Sequence, residues 1–347
     1  MAHYNYKQKS RNTPKYKCYS VIDACPDMKD NLKYEDNIYK LNHDLIEVYN
    51  KISLKPEEKA LRDDIYERFK NVIEIEFKKE GYENVSVEKY GSFQTGLMVG
   101  QSDIDVTIII KETKEDVNLI LKKCNKILLK HDLCMGEIVH IKKTRIPIIK
   151  CVDKKYGVSI DISVNQEEGI LSGDFVINKL KEYPDLEYLC ILYKYFLKRR
   201  NLSMCFIGGL GAYAQFLLIL NFMQLHPLSD VSNIKENIGT YLMDFFLYYA
   251  TFDHTLAIID PIEQRYKTNT VRNLFIADPV SDGLSNVAVN CSQFDRIKQI
   301  MYTSYKIMAK AMKADIKNKD ICALWFKFDT KELYERSENI KKYNKNK

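Results

Sequence analysis

The chain has 347 residues, 46% of them hydrophobic, with 53 Lys and Arg against 47 Asp and Glu for a formal charge of +6. This composition excludes wholesale disorder and the strongly basic footprint of a dedicated nucleic-acid binder, while permitting RNA as a partner. The 9 scattered cysteines, with no Cys-x-x-Cys pair, exclude a disulfide framework or zinc knuckle and point to reduced thiols in a cytosolic or nuclear setting.

Residues 1–40 mix Lys, Tyr, Asn and Pro without periodicity and read as a flexible N-terminal arm lacking the apolar stretch of a secretory signal. From Leu41, apolar Leu45, Val48, Tyr49 and Ile52 mark an amphipathic helix. Pro56, followed by Glu57 and Glu58, opens a second whose face carries Leu61, Ile65, Phe69, Ile73 and Phe77. The period then switches to two. Asp103, Asp105 and Thr107 alternate with Ile104, Val106 and Ile108, as a half-buried strand requires. A helix over 117–129 and strands near 146–152 and 158–164 follow, so that 73–168 form a compact α+β unit.

Beyond about residue 170 the period is helical. Pro184 opens a helix carrying Leu186, Leu189, Leu192 and Phe196, while 210–225 and 238–249 predict two more. Ser292 with Asp295 reads as a capping box before a last amphipathic helix. The uncharged stretch 202–229 holds Gly208, Gly209, Gly211 and Pro227, and its unbroken apolar run falls far short of the ~20 residues a bilayer demands. No membrane span is expected. The lysine-rich end reads as a solvated tail.

The chemistry is concentrated between Tyr90 and Asp105. Side chains two apart on a strand share a face, so Asp103 and Asp105 stand together and repel unless a cation lies between them. Asp161 sits in a second alternating strand. If the two strands are neighbours, three carboxylates meet on one edge, a set suited to a pair of Mg²⁺ ions in nucleotidyl displacement. Gly91 and Ser92 offer close backbone approach and a hydroxyl to a phosphate.

The block Gly91-Ser-Phe-Gln-Thr-Gly-Leu with Ser102-Asp-Ile-Asp105 resembles the DNA polymerase β-type nucleotidyltransferase signature, in particular the Trf family of nuclear poly(A) polymerases. The likeness extends over about 40–315, through Leu41-Asn-His-Asp-Leu-Ile, Lys55-Pro-Glu-Glu-Lys-Ala-Leu-Arg, Arg145-Ile-Pro-Ile-Ile-Lys, Asp161-Ile-Ser-Val-Asn, Gly208-Gly-Leu-Gly-Ala-Tyr and Met223-Gln-Leu-His-Pro. It implies an α+β fold in which a polymerase-β-like catalytic domain (73–168, a small mixed sheet with helices) faces a mainly helical central domain (41–72 and 169–320) across a cleft. The arm 1–40 and a C-terminal tail 321–347 flank them.

The resemblance also implies roles. Asp103, Asp105 and Asp161 match the catalytic carboxylates that hold two Mg²⁺ or Mn²⁺ ions. Gly91, Ser92, Lys194 and Lys198 match the triphosphate site. Ser172 and Gly173 match the ribose contact, where Asn or Thr is usual, and Tyr213 the base-stacking aromatic. Gly211-Ala212 stands where the family frequently has a Ser. Asp278-Pro-Val-Ser-Asp-Gly-Leu-Ser-Asn-Val resembles the nucleotide-recognition loop, with Asp278 and Asn286 at its ends and one residue more between them than the family pattern. Related uridylyltransferases carry His before that Asn, and this chain has Ser285. The implied activity is template-independent addition of AMP from ATP to RNA 3′ ends in RNA surveillance, with UTP as the alternative substrate and an inactive scaffold as a third reading. Implied partners are RNA, a zinc-knuckle RNA-binding subunit and a helicase, with no membrane, in the nucleus or alternatively the cytoplasm.

Overall fold

The strands are β1 (Val85–Lys89), β2 (Ile104–Ile110), β3 (Cys134–Ile141), β4 (Ile148–Asp153) and β5 (Ser159–Val164), with alternating apolar residues clearest in β5. They form a 5-stranded sheet in the order β1-β2-β5-β4-β3, in which β2 and β5 run parallel and every other pair antiparallel. The structure, a computed structural model, describes residues 31–345 except 101, 112, 228–232, 264, 282–284, 315–321, 323–324 and 327, with 31–36 and 265–266 described in backbone only.

Ten helices accompany the strands among the described residues: α1 (Asn31–Ile52), α2 (Pro56–Lys79), α3 (Gly91–Thr95), α4 (Val117–Lys130), α5 (Glu167–Glu182), α6 (Leu186–Lys198), α7 (Ala212–Leu225), α8 (Ile238–Thr251), α9 (Phe294–Ala311) and α10 (Thr330–Lys345). A 2-stranded hairpin, β6 (Ala257–Asp260) and β7 (Arg265–Thr268), lies between α8 and α9. Two hydrophobic clusters organise them. Ile104, Val106, Ile108, Ile160 and Ile162 pack with α2 and with Ile120, Leu121, Cys124 and Leu128 of α4. A second cluster unites α1, α6, α7, α8 and α9. Each fully buried Leu, Ile or Phe contributes about 1.5–3 kcal/mol, so both clusters hold their helices firmly.

The arm does not extend to residue 40, since α1 begins at Asn31; residues 1–30 lie outside the described part. Ile38 is buried, and the Asn37 amide donates to the carbonyls of Met312 and Ala314, both at 2.9 Å. That anchor is some 275 residues distant in sequence, which local periodicity cannot register. The assignment of 41–72 to the helical domain also needs correction. Leu61, Ile65, Phe69, Ile73 and Phe77 belong to the sheet's cluster, so α2 packs on the catalytic unit and α1 alone joins the helices. Local signals do fix where α2 begins: Pro56 is in its first turn and the Glu58 carboxylate accepts the Lys55 N–H at 2.9 Å.

The C-terminal stretch is not a plain solvated tail. In α10, Arg336 bonds both Glu58 oxygens at 2.8 and 2.7 Å and the carbonyls of Lys51 and Ser53 at 2.8 and 2.6 Å. Tyr343 packs edge-on against Tyr156. This helix therefore braces the α1–α2 junction against the sheet. The expected capping box is absent as well: Gln293 occupies the N-cap of α9 and makes no side-chain cap bond. Among the described residues the cysteines are free thiols, and no helix is long and apolar enough to cross a membrane.

Candidate active site

Parallel pairing sets Asp105 directly beside Asp161, and Asp103 immediately precedes β2 on the same edge. The antiparallel pairing of β4 with β5 brings Lys150 opposite Asp161. Its ammonium donates to Asp103 Oδ2 at 2.6 Å and stands 3.1 Å from Asp161 Oδ1. Lys150 thus pairs with two of the three carboxylates, and the excess negative charge is felt. Burial, then the charges of Asp161 and Asp103, push the Asp105 carboxyl up to about 7, with Lys194 and Lys150 opposing. Burial and Asp103 likewise raise Asp161. Among the described residues no three His, Cys, Asp or Glu side chains converge at metal-ligand spacing. The donor set nevertheless fits a hard divalent cation: it is all oxygen, it carries net negative charge, and two of its carboxylates already pair with a cationic side chain.

Tyr90, whose N–H donates to Asp105 O at 3.1 Å, leads into α3. Gly91 has φ +55°, and a Cβ there would sit 3.3 Å from Asp105 Oδ2, so a side chain would crowd the carboxylate as well as strain the backbone. The first-turn N–H groups of α3 have no partner within the helix. They open beside Ser92.

Next to the carboxylates is a cavity of about 210 Å³ whose lining includes Gly91, Ser92, Ser172, Gly173, Lys194 and Tyr213. Lys194 donates to Leu97 O at 2.7 Å, and burial pulls its ammonium down to about 8 while Asp105 opposes. Lys198, one turn on, is also lowered by burial, with Glu332 of α10 and Asp103 opposing and Arg199 and Arg62 adding to the shift. Ser172 donates to Glu168 O at 2.9 Å. Gly173 permits close helix contact, since a Cβ would stand 2.0 Å from Gln94 Oε1 of α3.

Tyr213, at the start of α7, donates its hydroxyl to Asp278 Oδ1 at 3.1 Å, and burial with the charge of Asp278 holds that hydroxyl well above the usual phenol range. Asp278 Oδ1 also accepts the Val280 N–H at 3.0 Å. Asn286 differs from expectation. Its Oδ1 accepts from Ile276 and Ala288 N–H at 3.1 and 2.9 Å, and its Nδ2 donates to Leu274 O at 2.9 Å. The side chain is committed to the backbone and clamps the neck of the 278–286 loop; Asp282 lies outside the described residues. Two further residues were not singled out by sequence reasoning. Lys150 is one, and Gln215, buried in the cavity wall, is the other. For Lys150 the available signal was its alternate position on β4.

A mixed sheet with carboxylates at the adjoining ends of two parallel strands, facing a helical body across a cavity, defines a DNA polymerase β-like nucleotidyltransferase fold. Residues 41–176 match the family described as Poly(A) RNA polymerase, mitochondrial-like, central palm domain. Poly(A) RNA polymerase cid14 of Schizosaccharomyces pombe is 32% identical over 255 residues, 71% of this chain and 36% of the relative. The solved polymerase core of TRAMP, an RNA surveillance complex, superposes with a TM-score of 0.73 at 22% identity, over 84% of this chain and 95% of that one. A Cid1 poly(U) polymerase structure superposes with a TM-score of 0.65 at 20% identity, over 82% and 98%. By sequence the chain is similar to the Trf-type poly(A) RNA polymerases over these segments. It spans 36%, 29% and 26% of the length of three curated relatives it matches.

Proposed function

We propose that this chain is a template-independent RNA 3′-terminal nucleotidyltransferase that adds AMP from ATP. The observation that carries the reading is the single edge holding Asp103, Asp105 and Asp161 beside a cavity walled by Ser92, Lys194 and Tyr213. Relatives named poly(A) RNA polymerases support ATP as substrate.

In this reading Asp103, Asp105 and Asp161 hold two Mg²⁺ ions, which when bound activate the attacking RNA 3′-hydroxyl and neutralise the departing pyrophosphate. Lys194 and Ser92 orient the triphosphate. Lys198 assists from the Asp103 side of the cleft. Tyr213 presents its ring to the base while Asp278 fixes the ring's position through the hydroxyl. Ser172 and Gly173 border the ribose. Asn286 acts through the loop it clamps rather than by touching the base.

Incorporation of each of the four NTPs into a short oligo(A) RNA in Mg²⁺ tests the reading. Preferential AMP addition is expected. Preferential UMP addition would replace it with the uridylyltransferase reading, for which the Cid1 poly(U) polymerase offers a fold-level precedent. No addition of any nucleotide, with or without a partner, would favour a scaffold. By the same kinship we propose a nuclear role in RNA surveillance with a zinc-knuckle RNA-binding subunit and a helicase. Co-purification of the tagged chain tests that assembly.

A further inference from the structure

Gln215 is 3% exposed and lines the cavity on α7. Its Nε2 donates to Leu210 O at 2.6 Å, while its Oε1 is buried with no hydrogen-bond partner. The amide cannot be turned round, because Leu210 O only accepts and needs the NH₂. An unpaired, buried acceptor is therefore left on a residue of the cavity wall. None of the nearby donors bonds it: Ser172 donates to Glu168 O, Tyr213 to Asp278 and the Lys194 ammonium to Leu97 O. Gly211 and Ala212, at the start of the same helix, bring no polar side chain.

A buried amide oxygen without a donor is destabilising in the empty protein and becomes favourable when a ligand supplies one. Phosphate oxygens are acceptors and cannot do so. We infer that Gln215 Oε1 is a specificity contact that accepts a hydrogen bond from the nucleoside part of the bound nucleotide. The inference rests on the reading that this cavity takes a nucleotide. In adenosine the groups with the required chemistry are the 2′- and 3′-hydroxyls and the N6 amino group. Where the donor is N6, a carbonyl in its place, as in uracil O4, would face Gln215 as a second acceptor and be rejected.

The test is equilibrium binding of ATP, 2′-deoxy-ATP, 3′-deoxy-ATP and purine riboside triphosphate to the full chain and to Gln215→Met, which keeps the length and removes the acceptor. Gln215→Leu serves if the first variant does not fold. ATP affinity should fall about five- to tenfold, the cost of one lost neutral hydrogen bond. One analogue should bind the wild type that much more weakly and be indifferent to the substitution, which identifies the donor. ATP affinity within about twofold of wild type, or an equal loss for all four ligands, overturns the inference; the second pattern is what a packing defect produces. Wild type that binds ATP with this pattern yet extends no RNA would sink the polymerase reading and leave Gln215's contact standing. Wild type that binds no nucleotide removes both.

Discussion

Replacing Asp105 with Asn should make the metal-free protein more stable while abolishing catalysis. The carboxyl stands at about 7 in the fold against an ordinary 3.8, because burial and two neighbouring carboxylates disfavour its charge. The folded value is raised, so the stability linked to this group is fully present below pH ~4 and is lost as pH climbs to about 7. By linkage, the ionised group costs about 4 kcal/mol at pH 8 and under about 2 kcal/mol at pH 5, as upper bounds. At ~2.1 cal/mol/K per residue, a chain of 347 residues melting as one unit converts 1 kcal/mol into about 1.4 °C. Asp105→Asn should therefore raise Tm by up to about 6 °C at pH 8 and about 2 °C at pH 5. Mg²⁺ should raise the wild-type Tm at pH 8 and move the variant less, since a cation relieves the repulsion that the Asn has already removed. Thermal melts at the two pH values, in EDTA and in Mg²⁺, give all four comparisons. A variant that melts at or below wild type at pH 8 and responds equally to Mg²⁺ would refute the crowding of charge at this edge.

Three further outcomes follow from named contacts. Lys194 is held at about 8 by burial, so nucleotide affinity should weaken as pH rises through 8 and the ammonium discharges. In Lys194→Arg that alkaline limb should move upward, because a guanidinium stays charged, and ATP affinity measured from pH 7 to 9.5 would show otherwise if both proteins fell together. Lys150→Met removes the ammonium shared by Asp103 and Asp161; a lower Tm in EDTA and tighter Mg²⁺ binding are expected, and unchanged metal titration would mean that Lys150 does not compete with the cation. Arg336→Ala strands the buried Glu58 carboxylate, at a cost of about 3–5 kcal/mol, so a urea midpoint equal to wild type would show that α10 does not brace the fold.

What was legible from the chain alone was whatever repeats over a few residues. Strand alternation put Asp103 and Asp105 on one face, and Asp161 on a strand of the same kind. Helical spacing marked the apolar faces of α2, α4 and α6. Pro56 with Glu57 and Glu58 marked a helix start. β1 and β3 escaped notice for physical reasons: β1 is only 5 residues long, with too few alternations to stand out, and β3 carries an irregularity and no buried side chain.

Other features depend on residues far apart in sequence. Asp105 meets Asp161 only because β5 pairs in parallel with β2, and no local signal specifies that register. Lys150 becomes a partner of both carboxylates through the β4–β5 pairing. The apolar face of α2 was evident, yet its choice of the sheet over the helical cluster is a matter of which surface it meets. Arg336 and Glu58 are 278 positions apart, and the polar composition of 330–345 gives no hint that its single arginine will be buried. Local patterning thus determined the elements and the kind of chemistry. Packing between distant segments decided which charges face one another, and so where each proton, cation and phosphate can be held.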